Sequence, residues 1–283
     1  MRKIAFLILF NTAPFFATGI SASAWTLEEG TKRLELAFSW TGFDKVKLYN
    51  GQQKHVGQVN FYTQSVKLFY GMRDNVSLFI FAPHQYTTRV NQTSFNSLGD
   101  AKIGIQIRLF DEADAYPLTL GLRTKIKLPL SDYEVYAVHA LGDGQVDIEG
   151  TLVGGRMGYL QGHQVYISSA IGYRIRKGKP SNDVLMLVEM GGTLNRRLSL
   201  RGFIERLQAT SGLGLEAPEF HDLRIQNSAP PFPDVQEIFT KAGLSLSVLL
   251  TERLNIEGFY ARTLQYKNTS EETHSGLHIG FNF

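Results

Sequence analysis

Side chains that could perform acid–base or nucleophilic chemistry cluster at two places in the chain. They are His274, Ser275 and His278 near the C-terminus, and His139, Asp143 and Asp147 near the middle. A serine nucleophile needs a histidine beside it, yet in an extended strand Ser275 points away from both histidines because side chains alternate between faces. Loops that contain Asp and His are common without a metal, so the second cluster is nonspecific. We therefore predict no catalytic site, metal site or cofactor.

Charged residues elsewhere follow a period of two. From Leu34 to Trp40, apolar side chains occupy every second position, with Glu35 among the polar residues between them. This alternation predicts a β-strand with one apolar and one polar face. It recurs twelve times, most clearly over residues 118–130 and last over residues 277–283. Segments of about ten residues are long enough to cross a membrane as tilted strands.

The stretches between these segments alternate in length. Longer stretches cover residues 43–57, 83–97, 131–144, 174–182, 207–235 and 267–273, and short ones cover residues 71–75, 111–116, 160–162, 195–197 and 251–253. Long loops at one end and short turns at the other are typical of outer-membrane barrels. The sequence therefore predicts an all-β fold: a closed antiparallel transmembrane β-barrel of about twelve strands, with short periplasmic turns and long extracellular loops.

The apolar face distinguishes a barrel from a soluble sandwich, which also alternates. On the first, fourth, fifth and twelfth segments this face carries no Asp, Glu, Lys or Arg. A membrane barrel must keep that face free of charge. Aromatic residues also gather at the segment ends, as two interfacial girdles would require. They are Trp40, Tyr133, Tyr173 and Tyr266 towards the long loops, and Tyr70, Phe110, Tyr116, Tyr159 and Phe283 towards the short turns. We favour the barrel, facing outer-membrane lipid, over the sandwich.

The first 24 residues have the pattern of a cleaved signal peptide. Arg2 and Lys3 precede an apolar run, and Ala22-Ser23-Ala24 is a small-residue cleavage site. A membrane anchor is the alternative, but Asn11 and Pro14 interrupt the run. Cleavage would leave residues 25–283 as the barrel and lower the net charge from +3 to +1, because two basic residues are lost. No basic block remains to suggest nucleic acid. We predict export to the outer membrane of a Gram-negative bacterium.

The polar face should line the barrel lumen, and its charges define a predicted charge belt. The belt residues are Lys102, Arg108, Arg123, Lys125, Asp147 and Glu149. Basic residues on two strands followed by acidic residues on the next allow opposite charges to pair between neighbouring strands. The belt is either a polar pathway with a transverse field or a salt-bridged filling of a narrow barrel.

Aromatic side chains interrupt the polar face and provide candidate substrate-binding residues. The five candidates are Phe79, Phe81, Tyr166, Phe203 and Phe239. A water-filled porin has little use for such rings, whereas a lumen that binds apolar or aromatic solutes needs them. The alternative is that the rings only pack against the stems of Lys and Arg side chains.

Several short motifs resemble one transporter family. They are YGMRDNVSL at residues 70–78, SLGDA at residues 97–101, Leu128-Pro129 followed by LGDG at residues 141–144, and TERLN at residues 251–255. Together they resemble the outer-membrane transporters associated with meta-pathway phenol degradation, which are distantly similar to long-chain fatty-acid channels. The resemblance implies passage of small hydrophobic or aromatic compounds. The fatty-acid channels carry an N-terminal plug, and we expect residues 25–32 to be too short to form one.

We therefore predict an outer-membrane channel for small hydrophobic or aromatic solutes, which is not an enzyme. A structural or surface-interaction barrel with a closed lumen is the first alternative, and a lipid-acting enzyme is the second. The C-terminal strand, which ends at Phe283, is the expected contact with the barrel assembly machinery.

Overall fold

The computed structural model describes residues 23–89, 94–131, 144–176, 182–212 and 236–283. These residues form fourteen β-strands and one short 3-10 helix, Glu112–Asp114. The strands are β1 Lys32–Lys47, β2 Gln53–Arg73, β3 Val76–Arg89, β4 Phe95–Leu98, β5 Asp100–Phe110, β6 Thr119–Pro129, β7 Asp147–Leu160, β8 His163–Arg176, β9 Asp183–Thr193, β10 Leu198–Ala209, β11 Ile238–Leu249, β12 Leu254–Lys267, β13 Thr269–Ser270 and β14 Thr273–Asn282. The part of the chain that the structure describes contains no candidate transmembrane helix.

Twelve long strands of the described chain close into a cylinder. Each is antiparallel to its neighbours, and β1 closes the sheet by pairing with both β2 and β14. Leu36, for example, lies opposite Val66 on β2 and Ile279 on β14. The short strands β4 and β13 add to β3 and β1. The predicted closed twelve-stranded antiparallel barrel is confirmed.

The outside of the barrel is apolar and the inside is charged. Leu122, Ile148 and Ile171 are 43%, 48% and 52% exposed, whereas Glu35 and Lys125 are each only 4% exposed. This is the reverse of a soluble protein, in which apolar side chains form the core. A closed cylinder with such an exterior requires hydrocarbon around it. The protein is therefore an outer-membrane barrel, and the soluble sandwich is excluded.

A charge on this exterior should destabilise the barrel according to its depth. We expect Leu122→Lys, in the middle of β6, to lower the free energy of unfolding by about 2–4 kcal/mol. Leu160→Lys, at the turn end of β7, is the matched control and should cost only about 0–1 kcal/mol. Equilibrium unfolding in lipid vesicles measures both. Equal effects at the two positions would contradict a bilayer around β6.

The strands extend further at the long-loop end than predicted. The β1–β2 connection is only residues 48–52, although residues 43–57 were expected to form a loop, and β3 continues to Arg89. Beyond the membrane, the apolar–polar alternation ends but backbone pairing continues, so the pattern underestimates strand length. Phe43, Val46, Leu48 and Val59 pack together on this extension. In the longest predicted loop, residues 207–209 belong to β10.

The opposite end has the short connections that were predicted. Residues 74–75 join β2 to β3, and residues 161–162 join β7 to β8. We call this end the turn end and the other the loop end. Residues 1–22, Tyr133, His139, Asp143 and residues 213–235 lie outside the described residues, so the predictions that concern them stay predictions.

Candidate functional site

Residues 23–31, which we call the N-terminal segment, enter the turn end of the lumen, where residues 23, 24, 26 and 27 are buried. Gln106 donates to the Ser23 and Trp25 carbonyls at 3.1 and 3.3 Å, and Arg123 donates to the Ser23 carbonyl at 2.9 Å. The Leu27 amide donates to Ser77 Oγ at 2.8 Å. Extended backbone spans about 3.3 Å per residue, so even these few residues reach into the lumen. The expectation that residues 25–32 are too short to form a plug stays a prediction.

Aromatic rings secure this segment and line the lumen around it. Trp25 meets Tyr166 edge-on, with ring centroids 6.0 Å apart, and packs on Gly155, where a Cβ atom would lie 2.8 Å from the indole. Phe79 lies against Gly104 in the same way, and Phe203 against Gly243. Rings that cover glycines on the next strand strengthen a sheet. These rings therefore help to form the barrel wall.

A cavity of about 350 Å³ occupies the loop-end half of the lumen. Its position follows from its lining, which includes Asp100 and Asp147, the loop-end residues of β5 and β7. Its apolar lining consists of Ala37, Phe81, Pro83, Leu207, Phe239 and Phe259. The volume lies at the lower end of the range typical of small-molecule sites.

One wall of the cavity, formed by β5 to β8, is a network of paired charges that we call the basic wall. Lys125 Nζ lies 2.8 Å from Glu149, and Lys127 Nζ lies 2.7 Å from Asp147. Arg174 contacts Glu149 at 3.2 Å. In the register of β6 and β7, Lys125 lies opposite Glu149 and Lys127 lies opposite Asp147. Opposite charges therefore pair between neighbouring strands, as the sequence predicted.

A second charged group lies on the β1, β11 and β14 side, around Glu272. Lys241 Nζ is 2.6 Å from Glu272 Oε2, and Ser270 donates to Oε1 at 2.7 Å. Glu272 lies between β13 and β14, outside the spanning strands. Burial raises the pKa of its carboxyl, but Lys241 and His274 outweigh burial and hold the pKa below its usual value. Glu272 is therefore ionised at neutral pH.

Thr41, His274 and Glu272 form a chain that resembles a catalytic triad. Thr41 Oγ1 lies 2.8 Å from His274 Nδ1, and His274 Nε2 lies 2.8 Å from Glu272 Oε2. In serine hydrolases the nucleophile contacts Nε2 and the acid contacts Nδ1, which is the opposite arrangement. Glu272 is also held by Lys241. We interpret the chain as a structural polar network.

The structure divides the five candidate aromatic residues. Phe81 and Phe239 line the cavity, whereas Phe79, Tyr166 and Phe203 do not. Lys102 Nζ lies 5.3 Å from the Phe81 centroid, and Lys241 Nζ lies 4.3 Å from that of Phe239. The rings that reach the cavity therefore also pack against lysines, so both interpretations drawn from the sequence have contacts in their favour.

The six residues of the predicted charge belt also do not all line the cavity. Lys102, Lys125, Asp147 and Glu149 line the cavity together. Arg123 lies nearer the turn end and donates a hydrogen bond to the Ser23 carbonyl of the N-terminal segment. Arg108 lies at the turn end, 2.7 Å from Asp111 and bonded to the Asp74 carbonyl. Four of the six belt residues therefore belong to the basic wall, and the other two, Arg108 and Arg123, make their contacts towards the turn end.

Sequence reasoning left several cavity residues out of the predicted site. They include Asp100, Lys127, Arg174, Arg176, Glu237, Lys241, Phe259, Glu272, His274 and His278. Lys127 and Phe259 share the inward face of their strands, and that signal could have identified them. Within the described residues, no group of three or more His, Asp or Glu side chains is arranged to hold a metal ion.

Comparison with known proteins supports the fold. No known protein family and no curated protein matches the sequence. Among solved structures, the barrel is similar to the COG4313 outer membrane channel from Pseudomonas putida F1, with a TM-score of 0.71 and 12% identity over 93% of this chain and 99% of that one. At this identity the likeness concerns the fold alone.

Two porins are less similar. The KdgM porin has a TM-score of 0.48 and 7% identity over 88% of this chain and 99% of the porin. The NanC porin has a TM-score of 0.48 and 9% identity over 88% and 98%. Neither score by itself indicates a shared architecture.

Proposed function

We propose that the protein is an outer-membrane channel for small hydrophobic or aromatic solutes. The observation that carries the proposal is the loop-end cavity of about 350 Å³, in which Phe81, Phe239 and Phe259 share the lining with charged side chains. Apolar rings bind the body of a solute, and a few polar groups fix its orientation. The resemblance to transporters of phenol-degrading pathways agrees with such a cargo.

A solute that leaves the cavity must pass the N-terminal segment. Once residues 1–24 are removed, the Trp25 carbonyl accepts a hydrogen bond from Gln106, and the Leu27 amide donates one to Ser77. Individual bonds of this kind contribute about 0.5–1.5 kcal/mol, or up to about 3 kcal/mol with a charged partner. Small displacements of the segment are therefore accessible, and we propose that they admit the solute to the turn end.

Uptake of an aromatic solute tests the proposal. In proteoliposomes with a lipopolysaccharide outer leaflet, which slows passage through lipid, the barrel should accelerate indole uptake over empty vesicles. Phe239→Ala, which removes a ring from the cavity, should slow this uptake several-fold. Phe38→Ala removes the same ring from the lipid face and serves as the control. Indole uptake no faster than in empty vesicles would overturn the proposal.

A closed structural barrel is the second candidate, because the part of the N-terminal segment that remains after cleavage lies inside the turn end. Thr26 is 3% exposed, and Leu27 is 7% exposed. In that case neither indole nor small ions would cross the wild-type barrel.

Export and assembly complete the proposal. We propose that residues 1–24 are removed, so that Trp25 begins the mature chain inside the lumen, where its carbonyl still accepts from Gln106. We also propose that the assembly machinery recognises β14 and Phe283. The Phe283 backbone pairs with Lys32 at 2.8 and 2.9 Å, and its ring is 59% exposed at the turn end.

A further inference from the structure

Lys102 occupies an unusual position in the basic wall. It lies directly opposite Lys127 on β6 and opposite Phe81 on β3. Among the residues that the structure describes, no carboxylate lies within 4.0 Å of its ammonium group. The ammonium instead lies over the Phe81 ring. The charges that act on the ammonium are those of three cations, Lys125, Arg174 and Lys127, and of one carboxylate, Glu149.

The other cations of the basic wall already have carboxylate partners. Lys125 and Arg174 share Glu149, Lys127 contacts both Asp100 and Asp147, and Arg176 contacts Asp183 at 2.7 Å. Among the described residues, Lys102 is therefore the cation of the basic wall that has no carboxylate partner of its own.

Such an arrangement is unfavourable unless an anion completes it. Like charges directly opposite each other on neighbouring strands are destabilising. A cation that is withdrawn from water also loses solvation energy unless it is paired. A neutral residue at position 102 would avoid both effects. The lysine therefore indicates a mobile anion that visits the cavity.

The surroundings of Lys102 indicate what else this anion carries. Phe81 and Pro83, on the adjacent strand, form the apolar lining next to the ammonium, and Phe239 and Phe259 contribute rings from β11 and β12. A fully hydrated inorganic ion would gain nothing from this lining. A single aromatic ring that bears one carboxylate matches both the charge and a volume of about 350 Å³.

We propose that Lys102 is the binding site for the carboxylate of small aromatic acids, whose ring packs against the apolar lining of the cavity. This inference rests on the proposed channel function and specifies its cargo. It requires a charge-assisted hydrogen bond from the ammonium to the carboxylate. Neutral aromatic molecules would enter the same cavity without that contact and bind more weakly.

Binding of benzoate and of its neutral analogue benzyl alcohol tests the site. Equilibrium dialysis uses the barrel in nanodiscs, with empty nanodiscs as the blank. We expect the wild-type barrel to bind benzoate more tightly than benzyl alcohol. Lys102→Met should weaken benzoate binding about tenfold, as loss of a charged hydrogen bond predicts, and leave benzyl alcohol binding within about twofold.

Lys32→Met is the matched control, because it removes the same charge from an exposed position at the turn end. Lys102→Gln is a second variant that retains a polar side chain and should also lose the preference for benzoate. Equal binding of benzoate by wild-type and Lys102→Met barrels overturns the Lys102 site. If neither benzoate nor benzyl alcohol binds to the wild-type barrel, the channel proposal itself fails.

Discussion

Glu149→Gln is expected to lower the free energy of unfolding by about 3–5 kcal/mol, the usual effect of removing one partner from a buried ion pair. The Glu149 side chain is only 3% exposed and contacts Lys125 at 2.8 Å and Arg174 at 3.2 Å. Thr151 also donates to it at 3.1 Å. Glutamine fills the same volume but leaves Lys125 without its carboxylate, beside Lys102.

The temperature at which the folded barrel loses its fast mobility on SDS gels measures this effect. Glu252→Gln, in the exposed β11–β12 turn, removes the same charge and should leave that temperature unchanged. Adding Lys102→Met to Glu149→Gln should restore part of the stability, because it removes a cation from the same wall. A Glu149→Gln barrel as stable as the wild type would show that the basic wall does not stabilise the fold.

Trp25→Ala is expected to raise the single-channel conductance several-fold. The indole is the largest side chain of the N-terminal segment, and it lies between Tyr166 and Gly155 inside the turn end. Truncation leaves a void at the turn end of the lumen and removes the ring contact with Tyr166. Water and ions can then pass the segment. Planar-bilayer recordings on the purified barrel measure the change.

Trp40→Ala is the control for this experiment, since it removes the other tryptophan of the chain, which bonds Asn60 near the loop end. Its conductance should equal that of the wild type. If Trp25→Ala stays as closed as the wild type and neither takes up indole, the structural-barrel candidate replaces the channel.

The alternation of apolar and polar residues along each strand by itself determines the architecture. In residues 118–130, the alternation of Leu120 and Leu122 with Arg123 and Lys125 assigns one face to lipid and one to the lumen. This assignment depends only on the two-residue repeat of a strand, so the sequence alone contains it. The same repeat placed Phe81, Lys102 and Glu149 inside the barrel. Where an irregularity breaks the two-residue repeat, as between Phe43 and Lys45, the pattern no longer shows the strand.

Only the closed barrel decided which inward residues meet. Thr41 and His274 are 233 residues apart in sequence and become neighbours because β1 pairs with β14. Phe79 and Phe81 share the inward face of β3 and are two residues apart. Phe79 packs against Gly104 of the barrel wall, whereas Phe81 lines the cavity. The N-terminal segment has no periodic pattern, and its position in the mature chain depends on Gln106 and Ser77. Height in the lumen is set by strand register and tilt around the whole cylinder, which no single strand encodes.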